Sequence, residues 1–311
     1  MPVAAARGAA CLSILALLCA PPVRAQGAAR APAVLELPAS TRALALGGAF
    51  VSVGGDPDAI FYNPALLTAA RGIGLAAQRY GSASTLATVS AAIEMEPGGI
   101  GIGVQMLDYG APADAAPGTA FPTRGDLLER GPVPASDLVV SLGYARPVKG
   151  VRLGIVGKYI EQRVAGERAG TAAVDLGAAK ELFGATIGLA IQNLGRGFDA
   201  GGTRIPLPRR ITLSAAHPRK IVGPFDLITT ASVATLEDWT VVPGLGVELA
   251  WWPVVGKTFV GRIGFRHAAS DTVSPVTFGG AFIGDRFTLE YAYEGVEGPG
   301  GGHRVGIRWE G

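Results

Sequence analysis

Histidines occur at positions 217, 267 and 303 only, and thiols at Cys11 and Cys19 only. Nucleophilic catalysis needs a serine or cysteine oriented by a base, and such a triad is a matter of geometry, not of nearness in sequence. Ser270 beside His267 is the one close pair, and no Gly-x-Ser-x-Gly elbow occurs. His217 falls in an expected turn, His267 at a strand end, and His303 at the start of the last expected strand. There is no His-Glu-x-x-His pattern, so an ordinary zinc site has no ligand set. Gly256-Lys257-Thr258 has the tail of a phosphate loop, but the earlier glycine that loop requires is Trp251, so it reads as a turn. Asp56 and Asp58 are paired carboxylates, yet a calcium site wants about six or more oxygens, and a cap-and-turn role fits them better. The chain is therefore expected to be a non-enzyme, with no metal and no cofactor.

What remains is to ask which elements the chain builds. Arg7, the apolar run Ala9–Ala20 and the small-residue site Val23-Arg24-Ala25 make a secretory signal, with cleavage expected after Ala25. Both cysteines leave with it, so the mature chain has neither a disulfide nor a thiolate. Arg7 and Arg24 leave too, which removes the net charge of +2 and with it any basic footprint for nucleic acid. Charged residues make up 17% of the chain and hydrophobic ones 49%, a balance that argues against disorder. The 46 glycines are about twice the usual share and argue against a helical bundle, since each costs about 1 kcal/mol in a helix.

From Gly72 onward, segments of about ten residues alternate with period two, the strand signal. Val305, Ile307 and Trp309 oppose Arg304, Gly306 and Arg308, and Phe287, Leu289 and Tyr291 oppose Arg286, Thr288 and Glu290. Strands are expected near 72–80, 84–94, 99–108, 136–146, 151–164, 170–181 and 185–194. Seven more fall near 208–217, 224–236, 241–251, 257–267, 274–284, 286–295 and 302–310. Connections alternate imperfectly between tight turns, such as Pro147–Gly150 and Leu182–Gly184, and longer loops, such as Tyr109–Ala135 and Gly195–Leu207. That asymmetry is characteristic of outer-membrane barrels. The expected class is thus all-β, an antiparallel transmembrane barrel of about fourteen strands over residues 71–311. Trp239, Trp251, Trp252 and Tyr159 are girdle candidates.

The presumed inward face carries Arg152, Lys158, Asp175, Gln192, Arg210, Glu248, Arg262, Arg266, Glu290, Arg304 and Arg308. Charges away from water need partners, so these are expected to pair with one another and with a plug. Residues 26–70 supply that plug, or hatch. Within it, 42–67 does not alternate and holds Asp56, Asp58, Asn63 and Pro64. Asp56 is placed to cap a short helix at 57–62 that has Pro57 at its first position, and Asn63 marks a turn before the first strand.

Gly47-Gly48-Ala49, Asp56 with Asp58, and Asn63-Pro64-Ala65 together resemble the N-terminal signature of the PorV/PorQ family, a branch of the FadL-like outer-membrane proteins. The chain departs from the pattern at Leu66, where the family has glycine. GIVGKYIEQRV at 154–164, IGLAIQNLG at 187–195, PLPRRITLSAA at 206–216 and the stretch 289–309 are similar to further family blocks, so the resemblance spans nearly the whole mature chain. It implies a fourteen-stranded barrel with a hatch in its lumen, in the outer membrane of a Gram-negative-type bacterium. It implies a role in type IX-like protein secretion, with secretion-system proteins or secreted cargo as partners and the loop Gly110–Ala135 as their contact. The wider FadL-like likeness implies the alternative, passage of a hydrophobic small molecule gated by the hatch. A structural barrel bound only to outer-membrane lipid is the third reading.

Overall fold

The computed structural model describes residues 32–80, 84–110, 135–164, 167–200, 203–267, 273–296 and 301–310. The expected signal sequence, most of the loop Gly110–Ala135 and Ser270 lie outside them.

Seven strands form the first half of a wall: β1 (Gly72–Tyr80), β2 (Ser84–Met95), β3 (Gly98–Asp108), β4 (Ala135–Val148), β5 (Val151–Val164), β6 (Glu167–Leu182) and β7 (Ala185–Gly195). A small hairpin follows, β8 (Phe198–Ala200) and β9 (Thr203–Ile205). The wall resumes with β10 (Arg210–Val222), β11 (Phe225–Thr235), β12 (Val241–Val254), β13 (Lys257–Arg266), β14 (Val273–Ile283), β15 (Phe287–Val296) and β16 (Gly302–Trp309). Fourteen strands pair antiparallel with their neighbours, β7 pairs with β10, and β16 returns to β1 to close a barrel. The β8–β9 hairpin stands apart from the wall. It lies in the stretch expected as the loop Gly195–Leu207, since strands of three residues are too short to show a period.

Alternation decides which face is which. On β16, Val305, Ile307 and Trp309 are 45–61% exposed, whereas Arg304 and Arg308 are 0% and 9% exposed. A soluble sheet shows the reverse, so the apolar rows face outward, as hydrocarbon requires. Trp251, Phe259 and Phe282 stack along that surface on three adjacent strands, at centroid distances of 6.0 and 5.3 Å. Trp239 is exposed in the connection between β11 and β12, two residues before β12 begins.

One rim carries tight turns. Lys149-Gly150 and Phe183-Gly184 have positive φ at both positions, the primed geometry that matches strand twist. The long connections gather at the opposite rim, which we call the loop rim.

Residues 32–71 run inside the barrel before entering β1. A turn of 3₁₀ helix, Ala33–Leu35, lies against β3 and β4. A one-turn helix, Thr41–Ala45, packs on β13 to β16, capped by Ser40, whose Oγ accepts from Ala43 N–H. Two further 3₁₀ turns, Pro57–Phe61 and Pro64–Ala69, face β1 to β4 and β2 to β6. This much backbone fits because the wall inside is paved with glycine. A Cβ on Gly264 would sit 2.0 Å from Gly47 N, and one on Gly154 would sit 2.3 Å from the Pro64 carbonyl carbon. The excess of glycine thus has a steric cause.

Candidate functional site

The hatch is held by charge. Arg42 donates through Nε and Nη2 to the two oxygens of Glu248, at 2.8 and 2.9 Å, and through Nη1 to Asp56 at 2.7 Å. Glu248 also accepts from Arg262 at 2.7 Å, and Arg262 donates onward to Glu290 at 2.9 Å. Asp56 pairs in turn with Arg308. Glu290, Arg262, Glu248, Arg42, Asp56 and Arg308 therefore form one chain of alternating sign, with no net charge. Each buried charge in it has an opposite neighbour, the condition under which such groups are tolerated.

Polar bonds fix the rest of the hatch. Arg304 donates to the carbonyls of Pro38 (3.1 Å) and Ala39 (2.5 Å) and to Thr88 Oγ1 (2.6 Å). Ser90 donates to Asp58 at 2.5 Å. Burial pushes the Asp58 carboxyl above its ordinary 3.8, against the pull of bonds from Ser90 and Ser40 and of the Arg304 charge. Asn63 accepts from Ala65 N–H at 3.1 Å and donates to Val51 O at 2.8 Å and to Ala178 O at 3.2 Å. Pro64 opens the 3₁₀ turn that Asn63 caps. Gln192 on β7 donates to Phe61 O at 2.8 Å.

The other inward charges lie on the lumen face as the alternation places them, though not all touch the hatch. Lys158 on β5 meets Asp175 on β6 at 2.6 Å and Asn193 at 2.9 Å. Asp175 also accepts from Asn193 N–H at 2.7 Å, where β7 bulges and Asn193 takes a positive φ. Arg266 pairs with Glu294 at 2.5 Å. Arg210, at the start of β10, contacts Thr212 at 3.4 Å. Arg152 sits at the tight-turn rim and pairs with the exposed Glu181.

Two expectations change. Asp56 makes no side-chain cap to the turn at 57–61, because its carboxylate is taken by Arg42 and Arg308. The short helix expected at 57–62 is present as a 3₁₀ turn, Pro57–Phe61. His217 lies within β10 rather than in a turn, with Nδ1 2.9 Å from Pro218 O. Sequence reasoning also passed over Arg42. The signal was present, since Arg42 is the one basic residue in 42–67, a segment with two acids.

Above the hatch, toward the loop rim, the lumen changes character. Tyr80, Leu86, Leu107, Val139 and Ile160 of the wall converge with Phe198, Ile205 and Leu207 of the hairpin region. Ala33, Val34 and Leu37 fill the space between them. This is an apolar chamber, one of several apolar clusters between wall and hatch, and it is filled by the start of the hatch. A separate cleft of about 340 Å³ opens at the loop rim, beside Asn193, Leu194, Arg204, Leu207, Arg209 and Glu237.

No family model matches the chain, and no curated protein does. Solved structures do. A FadL homologue from Pseudomonas aeruginosa aligns at TM-score 0.55 and 10% identity, over 88% of this chain and 99% of that one. CymD, described as a monoaromatic hydrocarbon channel, aligns at 0.53 and 11%, over 87% and 97%. TodX from Pseudomonas putida, described as a toluene transporter, aligns at 0.52 and 12%, over 86% and 95%. The chain shares the fold of these FadL-like outer-membrane barrels.

Proposed function

We propose that the chain is a non-catalytic outer-membrane barrel that takes a small hydrophobic molecule into its upper chamber and passes it on when the hatch yields. The observation that carries this is the chamber itself. Inward side chains of an aqueous lumen have no reason to be apolar unless something apolar covers them, since burying such surface is worth roughly 25 cal/mol per Å². The hatch start covers them here with three small side chains, Ala33, Val34 and Leu37. A hydrocarbon displacing them would gain the same burial. The descriptions of TodX and CymD, which share the fold, support a hydrophobic cargo.

Secretion is the weaker reading. It rests on the PorV/PorQ resemblance and on the loop Gly110–Ala135, and no described feature favours it over transport. Localisation follows from the leader expected at 1–25, which directs export, and from the apolar outer surface, which asks for lipid.

The test is uptake of labelled toluene and of a labelled long-chain fatty acid by cells that carry the gene, lack it, or carry the double substitution Asn63→Ala, Pro64→Ala. Wild-type uptake above the deletion strain, altered by the double substitution, is expected. Uptake equal to the deletion strain for both compounds removes the proposal.

A further inference from the structure

The apolar chamber has one polar corner, and its chemistry is specific. Asp137 on β4 is 1% exposed. Its Oδ1 accepts from Gln162 at 2.8 Å, and its Oδ2 from the Tyr109 hydroxyl at 2.8 Å. Among the described residues, none of the groups that bond it is basic. Oδ2 also accepts from Val34 N–H at 3.4 Å. Gln105 on β3 donates to the carbonyl of the same residue, Val34, at 3.3 Å. Gln105 lies opposite Val139, and Asp137 opposite Leu107, so polar and apolar side chains form a diagonal cross on two adjacent strands.

The occupant thus presents one donor, one acceptor and a small apolar body. Both of its bonds are longer than the 2.7–3.2 Å usual for N–H···O. They are the replaceable bonds of the corner, whereas those from Tyr109 and Gln162 are short.

We infer that the chamber selects neutral hydrophobic molecules carrying a hydroxyl, such as an alkylphenol, over plain hydrocarbons and over carboxylates. A hydroxyl can donate to Asp137 and accept from Gln105, the two roles that Val34 N–H and Val34 C=O now fill. A plain hydrocarbon leaves a buried carboxylate and a buried amide short of a partner. A carboxylate ligand has no proton to give and brings a second negative charge to a corner where no described group bonding Asp137 is basic. The inference rests on reading the chamber as a ligand site.

The experiment offers 4-octylphenol, octylbenzene and 4-octylbenzoate, one at a time and in pairs, to the full purified chain at pH 8. Retained molecules are counted by native mass spectrometry. The wild type should retain octylphenol about tenfold over octylbenzene, with octylbenzoate last. Asp137→Leu should bring octylphenol down to octylbenzene's level and leave octylbenzene bound. The near-isosteric Asp137→Asn should keep octylphenol and relieve the penalty on octylbenzoate. Equal retention of octylphenol and octylbenzene by the wild type overturns the selectivity and leaves the chamber as a hydrocarbon site. Octylbenzoate bound as well as octylphenol also overturns it. If none of the three is retained, both the selectivity and the chamber reading fall.

Discussion

Arg42 and Glu248, 206 residues apart in the chain, face each other through two parallel N–H···O bonds of 2.8 and 2.9 Å. Planar guanidinium on planar carboxylate is the strongest and most directional of ion pairs. It joins the middle of the hatch to the middle of β12, and both side chains are nearly buried. Removing one member of such a pair strands the other, at a cost of about 3–5 kcal/mol. Arg42→Ala should therefore unseat the hatch while the barrel stays closed. Single-channel conductance in planar bilayers should rise, and amides over 41–67 should exchange faster. Heat-modifiable migration on a gel should be unchanged. Conductance and exchange both at wild-type values would show that the pair does not hold the hatch.

Steric fit gives a second lever. Gly264→Val puts side-chain carbon where Gly47 backbone now lies, and overpacking of this kind costs about 1–3 kcal/mol. Gly157 faces outward with nothing within 4 Å of its absent Cβ. Gly157→Ala should be silent in conductance and in proteolysis of the hatch, whereas Gly264→Val should raise both. Equal behaviour of the two variants would refute the glycine-paved wall.

The Asp58 carboxyl supplies a pH dependence. Its pKa in the folded chain lies above the unfolded value of 3.8, because burial disfavours the charge. A carboxyl raised in this way adds stability that is complete below 3.8 and is lost as pH rises through the folded value. Hatch protection from hydrogen exchange should therefore decline with rising pH by more in the wild type than in Asp58→Asn, which cannot ionise. Identical slopes in the two proteins would place the dependence on other groups.

Asn63 makes three bonds with one amide, so Asn63→Ala removes a cap and two ties to backbone carbonyls. Caps alone are worth about 1 kcal/mol. Limited proteolysis should cut within 57–67 several-fold faster in Asn63→Ala than in the wild type. Asn63→Asp keeps the accepting oxygen and should fall between them. A rate unchanged in both variants would mean that the two 3₁₀ turns need no side-chain support.

The fourteen wall strands are legible in the sequence because period-two alternation is long and repeated, with apolar rows exposed on one face and polar rows buried on the other. Arg304 and Arg308 on β16 show it best, since the residues between them are apolar or glycine and every second one is buried. The hatch is less legible. Its turns are short and are set by tertiary contacts, as when Asp56, at the N-cap position, gives its carboxylate to Arg42 and Arg308 instead of to the turn. The polar corner was not legible at all. Gln105, Asp137 and Gln162 look like ordinary inward positions of three separate strands, and only the register brings them together.

The last strand reaches back to the first residues of the described chain. Arg304 holds Pro38 and Ala39, Arg308 holds Asp56, and the same strand pairs with β1 to seal the ring. Plug seating and ring closure therefore both draw on β16, the one through its arginine side chains and the other through its backbone. A chain that stops short of β16 lacks both its seam and its grip on the plug. Completion of synthesis is in that sense built into the fold as a condition for a shut pore.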